Sequence, residues 1–90
     1  MGSELFPLGE VRITEAANAA LNPDAVQEAL ARHVRGDWGI LPPPFKEEND
    51  RDVQEGGELV SSYVSAGGTV FYIKTEGDRS ATTVFLLVDL

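Results

Sequence analysis

One histidine, two cations and a run of hydroxyls carry most of the chemistry this chain could do. His33 is the only histidine in 90 residues, and histidine is the side chain that titrates near neutral pH without help, so a general acid or base would sit there. Arg32, Arg35 and Asp37 lie beside it in sequence. Farther along, the stretch KTEGDRSATT groups Lys74, Arg79, Thr82 and Thr83 with Glu76, Asp78 and Ser80. Lys74, Arg79 and Thr82 or Thr83 could grip a phosphate or stabilise a pentavalent phosphorus transition state, with His33 moving the proton. Plain turn chemistry accounts for the same residues: Asp78 and Ser80 satisfy backbone groups, and Arg79 pairs with Glu76 or Asp78. For His33 the structural alternative is a half-buried ring capping helix C-terminal carbonyls, the favourable end for a cation. Ser61, Ser62 and Tyr63 form a third polar group, but no general base adjoins them in sequence, so nucleophilic catalysis has little support.

The acidic side chains form a second constellation. Glu47, Glu48, Asp50, Asp52, Glu55 and Glu58 outnumber Lys46 and Arg51 in one segment. On a helix, residues four apart are separated by about 6 Å of rise. That is comparable with the spacing of phosphates along a nucleic-acid strand, whose axial rise is about 3.4 Å per nucleotide. Glu48 and Asp52 can stand in a row with Glu55 near the same face, and such a row could imitate a phosphate backbone (a DNA mimic) before a basic groove. A solvated helix face has the same appearance.

The elements that must position these groups follow from pattern. EVRIT reads as a short strand, and Thr14 can cap a short helix over EAANAAL. In NPDAVQEALARHVRG, Asn22 suits an N-cap, Pro23 the first turn and Asp24 the dipole. Val26, Ala29, Leu30 and His33 or Val34 then recur at helical spacing, and Gly36 ends the helix. DWGILPPP is extended, with Trp38 folding back over the core as a lid. FKEENDRDVQEGG reads as a mostly polar helix anchored by Phe45 and Val53. From Glu58 the period changes to two: ELVSSYVS, TVFYIKT and SATTVFLLVDL are strands joined by short turns, hence an antiparallel meander. The last strand is apolar on both faces, which suits a central position, and EVRIT is expected to pair on its outer side. The expected fold is one α+β domain over residues 1–90. It has two layers: an antiparallel sheet of about four strands with two to three helices on one face. If nothing covers the last strand, its edge invites a homodimer.

Composition narrows the function. Fifteen acids against seven bases give a net charge of −8. Nucleic-acid binding relies on Lys and Arg displacing counterions, so direct binding is disfavoured and a basic surface is the better partner. Without cysteine, thiolate metal sites and disulfides are excluded, and one histidine among scattered carboxylates gives no zinc pattern. No metal, cofactor or membrane partner is expected. No apolar run approaches a membrane span. The start MGSELFPLGE lacks a signal peptide's regions, and Phe6 stands where a myristoylation signal wants Ser or Thr, so a cytoplasmic location is expected.

The blocks RHVRGDWG, GGELVSSY and YIKTEGDRSATTVFLL resemble a family of small bacterial proteins carried on plasmids, phages and integrated elements. The similarity spans Phe6 to Leu87. Its most specific part is the turn Thr75, Glu76, Asp78, Arg79, Ser80, Thr82 and Thr83. Members of that family close on Leu-Leu-Pro-Glu where this chain reads LLVDL, which implies a longer or differently paired terminal strand. The resemblance implies a setting rather than a reaction, and that setting includes anti-CRISPR proteins and small ribonuclease toxins. Two readings follow. In the first, a non-enzymatic protein inhibits a nucleic-acid-binding defence complex, such as a type I CRISPR surveillance complex, through Glu47, Glu48, Asp50, Asp52, Glu55 and Glu58. In the alternative, a barnase-like or RelE-like ribonuclease, or a degenerate relative, uses His33, Arg79 and Thr82.

Overall fold

The computed structural model describes residues 4–90, so the Met-Gly start weighed for lipidation lies outside the described residues. The element order is β1 (Glu10–Ile13), α1 (Glu15–Ala20), α2 (Pro23–Val34), α3 (Pro43–Glu55), β2 (Leu59–Val64), β3 (Val70–Thr75) and β4 (Ala81–Leu86), with a last 3₁₀ turn at Leu87–Asp89. The strands form one sheet in the order β1-β4-β3-β2 with helices against it, an α+β fold. No helix among the described residues is long and apolar enough to cross a membrane.

The local signals act where they stand. The Asn22 side chain accepts from the Asp24 amide at 2.8 Å, and Thr14 accepts from Ala17 at 3.1 Å. α2 buries Val26, Ala29, Leu30, His33 and Val34. These residues recur at three- and four-residue steps, as one apolar stripe requires. α3 begins two residues earlier than its polar pattern suggests. Pro42 is its N-cap, and Pro43 and Pro44 occupy the first turn, where a missing N–H costs nothing.

β1 corrects the expected all-antiparallel sheet. It does pair with β4, but in parallel, with Val11 beside Thr82 and Ile13 beside Val84. Antiparallel direction follows only from short turns, and three helices intervene between β1 and β2. The sheet is therefore mixed. β4 also stops before the chain end. Asp89 Oδ2 accepts from the Leu86 amide at 2.8 Å and from Thr14 Oγ1 at 2.7 Å, which folds the last residues back. With β1 on one side and β3 on the other, β4 has no free edge. The homodimer expected through the C-terminal strand thus has no strand edge to use.

Alternation sorts the strand residues into two faces. Leu59, Ser61 and Tyr63, Phe71, Ile73 and Thr75, and Thr82, Val84 and Leu86 form the buried face, while Ser62 and Ala81 are buried outside that alternation. Tyr63, Phe71, Ile73, Val84 and Leu86 pack with Ala17, Leu21, Val26, Ala29 and Leu30 of the helical layer. A smaller cluster of Phe6, Val34, Trp38 and Leu59 closes one end, with Val53 of α3 against it. Trp38 is 3% exposed, as expected of a lid. Its ring stacks on Phe6 at 6.2 Å and meets His33 edge-on at 5.6 Å.

The β2 edge is sealed by side chain and loop. Asn49 donates to the Val60 carbonyl at 2.7 Å and accepts from the Val60 amide at 3.3 Å, so its amide stands in for a neighbouring strand. Ile40 N–H donates to Ser62 O at 2.8 Å, and Ser62 N–H donates to Trp38 O at 3.2 Å. An unpaired edge is a template for aggregation, and here its outward groups at Val60 and Ser62 are occupied.

Candidate functional site

His33 does not cap its own helix. Its ring turns inward to the sheet and is 0% exposed. Nδ1 lies 2.6 Å from Ser61 Oγ, and Nε2 lies 2.8 Å from Thr75 Oγ1. Thr75 Oγ1 is in turn 2.8 Å from Thr82 Oγ1, which donates to the Leu8 carbonyl at 2.7 Å. A carbonyl only accepts, so the chain has one direction. Thr82 spends its proton on Leu8 and must accept from Thr75. Thr75 must then accept from His33, which makes the imidazole an Nε2–H tautomer. Nδ1 is left to accept the Ser61 hydroxyl proton. Every buried side-chain nitrogen and oxygen among the described residues has a partner.

This relay supplies the base that Ser61 lacks in sequence, since a serine hydroxyl on a neutral imidazole is the start of a nucleophilic pair. It is also closed. Ser61, Thr75 and Thr82 are buried, and the Phe6 and Trp38 rings stand edge-on to the imidazole. A substrate atom has no route to Ser61 in this conformation. The arrangement serves the fold instead. It satisfies both imidazole nitrogens and the Ser61, Thr75 and Thr82 hydroxyls inside an otherwise apolar layer.

Burial and, second, the charge of Arg79 hold the His33 pKa down to about 4, against 6.5 for the free side chain. The unfolded chain therefore takes up a proton near pH 6.5 that the folded chain refuses until about pH 4. Stability is unaffected above that window and falls as pH drops through it. At about 1.4 kcal/mol per pH unit, the loss between pH 6.5 and 5 is about 2 kcal/mol. Protonation of surface carboxylates, centred near pH 4 in model peptides, relieves the self-repulsion of an acidic protein with the opposite sign. The window above pH 5 therefore isolates the histidine. Urea unfolding at pH 7 and pH 5, with an NMR titration of the imidazole, checks this; a ring that titrates near 6.5 in the folded protein refutes it.

Arg79 is a half-buried cation, and three hydrogen bonds tie it to backbone carbonyls. Its guanidinium donates to the carbonyls of Gly57 at 2.7 Å, Asp52 at 2.8 Å and Glu76 at 3.2 Å. Its charge sits 5.5 Å from the Phe6 ring centroid. One side chain thus ties the end of α3 to the β3–β4 turn. It pairs with carbonyls rather than with the Glu76 or Asp78 carboxylates. Asp78 Oδ1 instead accepts from the Ser80 amide at 2.9 Å, and the hydrogen bonds of Ser80 hold the Asp78 carboxyl below its ordinary pKa. The TEGDRS corner is built as a turn.

The proposed phosphate grip is split by the sheet. Thr82 faces the buried layer while Thr83 faces outward, and Lys74 stands beside Thr83 on the outer face. Lys74 lies 3.5 Å from Glu76 and 4.0 Å from Glu58. His33, Arg79 and Thr82 do share one corner of the protein, but the one hydroxyl proton of Thr82 goes to Leu8 and Arg79 is held by three backbone carbonyls.

The acidic residues are differently placed. Glu47, Glu48, Asp50, Glu55 and Glu58 are exposed, and Asp52 is half-buried. Asp50 accepts the Trp38 indole N–H at 2.9 Å, so it also holds the lid. The Asp52 carboxylate lies against Gly57, where an added Cβ would come within 2.5 Å of its Cγ. That packing takes Asp52 out of the outward row. Among the described residues, none of the five carboxylates of α3 is in an ion pair. Sequence reasoning missed the groove these residues border. Leu41, Pro42, Phe45 and Val60 line it together with Glu48, Asn49, Asp52 and Glu58, and this open groove has a volume of about 590 Å³.

Comparison of the chain with family models, with curated proteins and with solved structures finds no match.

Proposed function

We propose that this is a non-enzymatic interaction protein that presents α3 and Glu58 to a basic surface. The observation that supports it most is the contrast between the two constellations. His33, Ser61, Thr75 and Thr82 are buried and hydrogen-bonded to one another, whereas Glu47, Glu48 and Glu55 are exposed on α3 and Glu58 is exposed just before β2. A net charge of −8 favours the same kind of partner through long-range steering. Within the setting implied by the sequence resemblance, that partner is the nucleic-acid groove of a bacterial defence complex, such as a type I CRISPR surveillance complex. Occupying the groove inhibits the complex.

The test uses the exposed carboxylates only, because a lysine at Asp52 would disturb the Gly57 contact. The variant Glu47→Lys, Glu48→Lys, Glu55→Lys should fold like the parent. It should bind a complex captured from a lysate carrying CRISPR and restriction systems at least ~100-fold more weakly, since like charges brought together cost several kcal/mol. Parental binding should also weaken with salt. Equal affinity of variant and parent, or affinity indifferent to salt, would remove the proposal.

A further inference from the structure

The groove between α3 and β2 specifies its occupant more closely than net charge does. Its walls are apolar at Leu41, Pro42, Phe45 and Val60, while Glu48, Asp52 and Glu58 bring carboxylates to it. No lysine or arginine lines it. Phe45 is 56% exposed, an aromatic ring on the groove side of a mostly polar helix. A volume of about 590 Å³ falls in the range of ligand sites, about 300–1,000 Å³.

The backbone beside the groove cannot recruit a strand. The outward groups of Val60 are held by Asn49, and those of Ser62 by Trp38 and Ile40. Recognition must therefore come from side chains. An apolar wall ending in carboxylates complements a long apolar stem that ends in a cation. Arginine fits better than lysine. Its planar fork can serve two carboxylates, and its weakly hydrated face stacks on an aromatic ring such as Phe45.

We propose that this groove docks an arginine-centred segment of a partner protein, with the stem along Phe45 and the guanidinium among Glu48, Asp52 and Glu58. The inference rests on the reading of α3 as an interaction surface and names the chemistry that surface takes. The carboxylates disfavour a nucleic acid as occupant.

The probe is acetyl-Leu-Arg-Leu-amide, titrated into the full chain and followed by NMR at the Asn49 side-chain amide, the Phe45 ring and Val60. Saturable shifts at these three positions are expected. Binding should be at least ~10-fold weaker for acetyl-Leu-Gln-Leu-amide, which lacks the charge-assisted bonds. It should be ~5-fold weaker or worse in Phe45→Ala, whose exposed site leaves the fold intact. Shifts that do not saturate at millimolar peptide, or equal binding of the glutamine peptide, overturn the groove. The two proposals fail separately. Phe45→Ala leaves the charge unchanged, so a basic complex held as tightly by Phe45→Ala as by the parent but lost by the triple lysine variant ends the groove inference and keeps the interaction reading. An arginine peptide bound in the groove, with capture unaffected by the lysines, does the reverse.

Discussion

His33→Ala is expected to cost about 4 kcal/mol, a large share of the stability of a domain this size. Two terms add. Removing the ring leaves a cavity in a layer with no solvent access, and large-to-small changes at such sites cost about 2–5 kcal/mol. It also strands the Ser61 hydroxyl as a donor and deprives Thr75 of its donor, and each orphaned buried group costs about 1–3 kcal/mol. Partial relaxation keeps the sum below the simple total. Domains of roughly this length hold about 0.05–0.15 kcal/mol per residue, and each kcal/mol moves the midpoint by about 4–8 °C. Thermal unfolding should therefore shift by roughly 15–30 °C, or the variant should not fold at all. His33→Phe separates the two terms, because it restores the ring and leaves the hydroxyls orphaned. It should remain destabilised by about 2–3 kcal/mol. Adding Ser61→Ala and Thr75→Val should recover most of that, since apolar replacement of both partners is nearly neutral. A midpoint for His33→Ala within a few degrees of the parent would mean that the relay does not hold the layer together. The same result bears on the ribonuclease alternative, in which removal of His33 abolishes activity but leaves the fold intact.

How far the sequence discloses this arrangement depends on the range of the contacts. The stripe of α2, its Asn22 cap and the two hairpins are written in residues a few positions apart, and they stand as expected. The direction of β1 is not, because three helices separate it from its neighbours and no turn geometry constrains it. The relay joins His33 to residues 28 and 42 positions away, beyond any local pattern. One signal was nevertheless present. Ser61 alternates with Leu59 and Tyr63, and Thr75 with Phe71 and Ile73, so both hydroxyls fall on core faces where a lone polar group needs a partner. A histidine on the apolar stripe of α2 is the matching group. Arg79 gave no such signal, since its acceptors are backbone carbonyls that every residue has. Strict alternation does show that Thr82 and Thr83 cannot share one site. The acidic helix was legible as composition, but the diversion of Asp50 to Trp38 and of Asp52 to Gly57 depends on loops that fold over it. The GDWG stretch has a physical reading too: Asp37 accepts from the Gly39 amide at 3.2 Å and from Arg32 at 2.7 Å, fixing the turn that lays Trp38 on the core.

Gly39→Ala should be at least as damaging as the loss of the histidine, although it adds only a methyl group to a loop. Gly39 has φ +75° and bridges Ser62 on the outer edge of β2. A Cβ there would lie 1.8 Å from the Ser62 carbonyl oxygen and 2.8 Å from the Tyr63 ring. Neither neighbour can yield cheaply. The Ser62 carbonyl accepts from Ile40, and the Tyr63 hydroxyl donates to Asp37 O at 2.7 Å, so both are tied to the same loop. Alanine therefore has to push the loop off the strand. That breaks the two backbone bonds that cover Ser62 and lifts Trp38, the indole that closes the smaller core cluster. Gly68 separates strain from collision. It has φ +88° but open space around its Cβ position, so Gly68→Ala meets only the left-handed backbone penalty, about 1–2 kcal/mol. The Gly39 variant adds the lost edge bonds and lost aromatic burial, for a total of about 4–5 kcal/mol. Because the outward groups of Ser62 are then bare, soluble Gly39→Ala protein should also self-associate where the Gly68 variant stays at the parental size. Urea unfolding and light scattering on the pair read both effects. Equal midpoints for the two variants would show that the loop tolerates the methyl group and that the Gly39 bridge does not seal the sheet.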